Sequence, residues 1–108
     1  RILLFERAVN WKGHIYDLEE EHRIPDEEKP LYVVYPDESG KWRVQAVPVN
    51  SESFESRRAL PEPWRGIRDA ELSELSGIPE CVFVHQSGFI GGNVTRNGAL
   101  AMATRALH

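Results

Sequence analysis

The sequence predicts an α+β fold: a four-stranded mixed sheet with helices packed on one face, in the order β-α-β-β-α-β-α. Three observations carry that expectation. Short apolar runs of strand length stand at residues 2–5, 31–35, 42–47 and 81–84. Stretches with apolar residues at helical spacing lie between and after them. At 108 residues, with 41% hydrophobic and 28% charged side chains, the chain can bury one core but not two.

Residues 2–5, ILLF, are too short for a helix and dense in apolar side chains, so they predict a buried strand. Asn10 is suited to cap the next element, where Trp11, Ile15 and Leu18 recur at i, i+4 and i+7 on one helical face. Glu19, Glu20 and Glu21 fall in its last turns, where the helix dipole disfavours them, and read as a solvated end stopped by Pro25. Residues 25–30, PDEEKP, form a polar connection within the domain. The β-branched and aromatic residues 31–35 make a second strand, and PDESG at 36–40 a turn. In the third strand Trp42, Val44 and Ala46 share one face, with Arg43 and Gln45 on the other. The two strands should pair as an antiparallel hairpin.

Residues 48–68 have no sustained period, and prolines at 48, 61 and 63 forbid a regular helix or central strand there. A connection this long is often functional. Asp69 is expected to cap a short helix with Leu72 and Leu75 inward. Gly77, Ile78 and Pro79 then stop it, the glycine in the left-handed conformation. After the strand at 81–84 comes a glycine-rich loop. Thr95 should cap the last helix, whose Leu100, Ala103 and Leu107 form an apolar stripe.

Charge and composition narrow the function. No apolar run approaches membrane-spanning length, so no membrane partner is expected. One cysteine, Cys81, leaves no internal disulfide and fits a reducing, intracellular compartment. The opening without Met, directly on an apolar run, leads us to expect a fragment excised from a longer protein. A net charge of −4 argues against indiscriminate nucleic-acid binding. Its distribution is uneven. Residues 1–30 carry eight acidic and five basic side chains, whereas no carboxylate side chain follows Glu80.

The glycine loop, CVFVHQSGFIGGNVT, therefore lies where nothing repels an anion. Gly88, Gly91 and Gly92 remove side chains where backbone turns or a ligand approaches, and Thr95 opens a helix whose first N–H groups are free. The residues alone leave two readings open, an anion site or a tight strand-to-helix turn. His85 stands at the loop's mouth, with Ser87 two residues on and Arg96 beyond. The loop lacks both a nucleotide P-loop ending and dinucleotide spacing, and Ser87 is not in a nucleophile elbow. No His, Cys, Asp and Glu cluster has metal-ligand spacing, so no metal is expected on these residues. In the 48–68 connection, Arg57, Arg58, Arg65 and Arg68 suit either phosphate or carboxylate partners such as Asp69 and Glu71. Trp64 suits either a base or the core.

The runs LYVVYPDESGKWRVQAVPV, LPEPWRG and VFVHQSGFIGG, with NWKGHIYDLEEE near the start, closely resemble the melanocyte-proliferating-gene-one exonuclease family. That family was formerly called metal-dependent protein hydrolase and is grouped with the DHH-type phosphoesterases. The resemblance implies a two-part protein, with Mn²⁺ or Mg²⁺ held by an N-terminal catalytic half and no catalytic residue in these 108. It implies that this chain is the accessory half, which closes over the cleft and holds substrate phosphates, in a 3′-to-5′ RNA exonuclease of nucleus and mitochondrion. His85, Ser87, Gly88, Gly91 and Gly92 match the region that would face substrate. Related accessory domains often carry a histidine after the glycine pair. Here Asn93 stands there, able to donate a hydrogen bond but not to carry charge. The competing expectations are a docking or dimerisation module with a structural loop, or part of a hydrolase of small phosphoesters.

Overall fold

The computed structural model describes residues 1–7, 11–50 and 52–108. In chain order the elements are β1 (Ile2–Leu4), α1 (Lys12–Glu21), β2 (Tyr32–Pro36), β3 (Trp42–Ala46), α2 (Asp69–Ser76), β4 (Cys81–Val84), β5 (Ile90–Asn93) and α3 (Arg96–Leu107). Short 3₁₀ turns at Asp26–Glu28 and Glu62–Trp64 interrupt the two polar connections. The sheet order is β1-β2-β3-β5-β4. β1 runs parallel to β2 and every other pair is antiparallel, so the sheet is mixed and the fold α+β, as the sequence predicts.

The sheet has five strands and not four. The extra strand is β5, formed by the glycine pair itself: Gly91 and Gly92 lie between β3 and β4, in register with Val44 and Arg43. What the sequence presents as a strand-to-helix loop is a hairpin, β4 to β5, and α3 starts only after it. Glycine is poor in strands unless neighbours fill the space it leaves. A Cβ on Gly91 would stand 3.1 Å from Leu60 Cδ1 and 3.2 Å from Val84 Cγ2, and one on Gly92 would stand 3.1 Å from the Phe83 ring. Those side chains take the place of the missing ones.

Helices cover both faces, which corrects the one-face expectation. Tyr32, Val33 and Val34 are successive and all fully buried. An apolar run without alternation marks a strand covered on both sides. Tyr32, Val34, Val44 and Ala46 pack with Leu72 of α2 and with Ala99, Met102 and Ala103 of α3. On the opposite face Val33 and Val47 meet Trp11 and Ile15 beside α1. The hairpin β2–β3 forms as expected, and Thr95 caps α3 by accepting the Gly98 N–H at 2.9 Å. Gly77 ends α2 at φ +75° with Ile78 folded into the core. Ala103 is buried, with Leu100 and Leu107 packed partly against the same core.

Other expectations are corrected. β1 is an edge strand with Leu3 and Leu4 over a third exposed. Leu75 is 48% exposed, and no side chain caps α2, where Asp69 itself has φ +53°. In α1 Leu18 points outward and Glu19 inward. The buried stripe is Trp11, Ile15 and Glu19, at i, i+4 and i+8. The Asn10 cap lies outside the described residues.

Candidate functional site

The β4–β5 turn carries His85. Its backbone N–H donates to Ile90 O at 2.9 Å, and its carbonyl accepts the Gly88 N–H at 2.9 Å, which closes a tight turn. Gly88 has φ +75°, and a Cβ there would stand 2.7 Å from Arg65 Nε and 3.1 Å from Leu60 O. The 60–65 segment clamps the turn: Leu60 N–H donates to Gly88 O at 2.8 Å, and Arg65 Nε–H donates to Leu60 O at 3.0 Å. The His85 side chain is exposed on this rigid base. Its Nδ1 accepts the Ser87 N–H at 3.1 Å and lies 2.9 Å from Ser87 Oγ. With Nδ1 accepting, the neutral ring carries its proton on Nε2, which leaves a donor facing away from the turn. The ring meets Phe89 edge-on, with centroids 4.8 Å apart.

The sheet face beside this turn is not covered by α2 and α3, which lie on the other side. Arg43 of β3, Gly92 of β5 and Phe83 of β4 are in register across it. Because Gly92 has no side chain, the Phe83 ring lies across it, and the Arg43 guanidinium sits 5.2 Å from the ring centroid. Arg43 Nε also reaches Asp37 Oδ2 at 3.3 Å. The Ser39 hydroxyl, helped by the Ser39 and Lys41 backbone N–H groups and by Arg43, holds the Asp37 carboxyl below the ordinary aspartate range. Arg68 is exposed, bridged to Phe83 through backbone, and its guanidinium has no hydrogen-bond or ion-pair partner among the described residues. Arg43, Arg68, Phe83 and Gln86 line a groove of about 420 Å³. A cation stacked on an aromatic ring beside a free guanidinium is suited to an anionic, partly planar ligand.

The other residues singled out from sequence do not converge here. Arg57 is only 11% exposed and grips buried Glu19 through both guanidinium ends, at 2.6 and 2.7 Å, over the Tyr16 ring. Arg58 donates to Leu107 O at the end of α3. Trp64 fills the core at 5% exposure. Neither Arg65 nor Arg68 pairs with Asp69 or Glu71. Arg96 pairs with Glu6 at 2.9 Å. Asn93 is fully buried: its Nδ2 donates to Pro79 O, and its Oδ1 accepts the Thr95 N–H at 2.9 Å. Its amide therefore ties the start of β4 to the cap of α3. Gly91 and Gly92 sit in an inner strand paired on both sides, so their backbone groups belong to the sheet ladder. The cradle of free backbone N–H groups expected at this glycine pair is not formed.

Sequence reasoning did not single out Arg43, Phe83 and Gln86 as site residues. The alternation that put Arg43 opposite Trp42 and Val44 was the available signal, but only the pairing of β3 with β5 brings Phe83 to it. Among the described residues no group of three or more His, Cys, Asp or Glu is placed to hold a metal ion. No helix among them is long and apolar enough to cross a membrane.

The family model MYG1_exonuc, described as an uncharacterised protein family (UPF0160), matches residues 1–107. This chain belongs to that family. The MYG1 protein of Schizosaccharomyces pombe is 57% identical over 107 residues, which are 98% of this chain and 32% of that protein. The MYG1 exonuclease of Homo sapiens is 52% identical over 104 residues, 96% of this chain and 27% of that protein. The MYG1 protein of Saccharomyces cerevisiae is 46% identical, across 99% of this chain and 31% of that protein. The chain thus spans about a third or less of these MYG1 relatives. No solved structure matches it.

Proposed function

We propose that this chain is the substrate-binding part of a metal-dependent 3′-to-5′ RNA exonuclease, holding RNA phosphates for a catalytic centre built by other residues of a longer protein. The observation that carries the reading is the open sheet face, where Arg43 stacks on Phe83 in one groove with unpartnered Arg68, and His85 is exposed on the adjoining turn. Similarity to proteins named MYG1 exonuclease supports a nucleic acid as the substrate. In this reading His85, Ser87 and Arg68 contact substrate, Arg43 and Phe83 form the platform, and Gly92 makes room for it. Gly88, Gly91, Asn93 and Thr95 hold the platform's shape. Mn²⁺ or Mg²⁺ belongs to the residues outside this chain, and the protein acts in nucleus and mitochondrion.

The test is titration of labelled single-stranded RNA at low salt, followed by fluorescence anisotropy. Arg68→Ala and His85→Ala each weaken binding about tenfold, the worth of one charge-assisted contact. Arg58→Ala, whose guanidinium caps the far end of α3, leaves it unchanged. Equal affinity in wild type, Arg68→Ala and His85→Ala would reject the platform.

A further inference from the structure

A second concavity lies on the same sheet face, two residues further along β3. It has a volume of about 510 Å³ and is lined by Lys12, Gln45, Glu52, Phe54, Ser87 and Phe89. That is within the range of about 300–1,000 Å³ typical of small-ligand pockets. Two of its aromatic rings have not been packed away: Phe54 is fully exposed and Phe89 is 38% exposed. Burying a ring of that size ordinarily favours folding, so the fully solvated Phe54 is an unpartnered stacking surface.

The polar lining is equally specific. Gln45 is only 6% exposed. Its Oε1 accepts the Tyr35 hydroxyl at 2.7 Å. Nε2 then has no hydrogen-bond partner among the described residues, although no fully buried polar side-chain atom is left unsatisfied. The amide N–H groups therefore open towards the cavity as free donors, held rigidly by a side chain that is otherwise buried. Lys12, at the start of α1, adds a cation at the rim.

We propose that this cavity takes one nucleobase of the bound strand, stacked on Phe89 and Phe54. Gln45 Nε2 donates to an acceptor on the base edge, and Lys12 reaches the adjoining phosphate. The inference rests on the functional reading above and deepens it. The platform of Arg43, Phe83 and Arg68 binds the backbone, while the cavity binds a base. β-strand spacing places Arg43 and Gln45 about 7 Å apart on one face, so a single strand can engage both.

Two probes separate the base from the backbone: a single-stranded RNA, and an abasic oligonucleotide of the same length and charge. Phe54→Ala is chosen because its ring supports nothing in the fold. It weakens RNA about tenfold, as loss of one base–aromatic stack does, and leaves the abasic strand unchanged. In parallel, AMP and ribose 5-phosphate are titrated while the Phe54 and Phe89 ring protons are observed by NMR. AMP shifts them and ribose 5-phosphate does not. Gln45→Glu keeps the acceptor for Tyr35 but removes the free donor, and it weakens AMP more than ribose 5-phosphate. RNA binding lost in Arg68→Ala but untouched in Phe54→Ala rejects the cavity and keeps the platform. AMP seated at Phe89 in a protein that binds neither strand keeps the cavity and rejects the exonuclease reading. No ring-proton shift with AMP, UMP or RNA overturns the cavity outright.

Discussion

The residue that most changes the reading of the chain is Glu19. In sequence it belongs to an acidic run and looks like part of a solvated helix end. In the structure it is 6% exposed and holds both ends of Arg57, which also donates to Pro30 O at 3.0 Å. Burying two charges is expensive, and mutual attraction offsets it only where geometry is good and remaining donors are satisfied. Here both conditions are met. Removing one partner leaves the other buried and uncompensated, so Arg57→Ala is expected to cost about 3 kcal/mol. Replacing both residues together by leucine should restore most of that loss, because no charge then remains inside. Urea denaturation checks this through a lower midpoint at constant slope for the single variant and recovery in the double. The same pair leaves Arg57 little capacity for another anion, because both terminal guanidinium nitrogens already donate to Glu19.

Elements were legible where local pattern and tertiary fate agree. PDESG between two strand-like runs gave β2 and β3, and Gly77-Ile78-Pro79 gave the end of α2. β5 was not legible, because two glycines in four residues carry no strand propensity and the side chains that fill their space, Leu60 and Phe83, come from elsewhere. The candidate site was hidden for the same reason. His85 and Ser87 could be singled out from the chain alone, but Arg43 becomes a partner of Phe83 only once β5 sits between their strands. A related tertiary effect reverses a helix rule. Alanine ordinarily stabilises a helix interior by about 1 kcal/mol over glycine. Gly13→Ala, in the first turn of α1, should stabilise by part of that, since nothing lies within 4 Å of the new methyl group. Gly98→Ala in α3 should instead destabilise by about 2 kcal/mol, because its Cβ would fall 2.1 Å from Asn93 Oδ1 and break the anchor between β4 and α3. Thermal melts of the two variants moving in opposite directions would establish that close contact.

At the scale of the molecule, a net charge of −4 and a nucleic-acid platform look contradictory until the charges are located. Eight of the carboxylates lie in the first 30 residues, on or near α1, whereas the β4, β5 and α3 segment has none. Few cations therefore face the strand, and binding should depend on salt less steeply than for a basic protein. Each neutralised phosphate contributes a slope of about −0.7 in log affinity against log salt for single strands. Arg43, Arg68 and Lys12 set an upper bound on the cations that face the strand here. A slope of about −2 is expected for RNA, reduced by about 0.7 in Arg68→Ala and unaltered in Arg58→Ala. Anisotropy titrations from low to moderate salt would measure all three. A slope much steeper than this, or one insensitive to Arg68, would move the strand off this face.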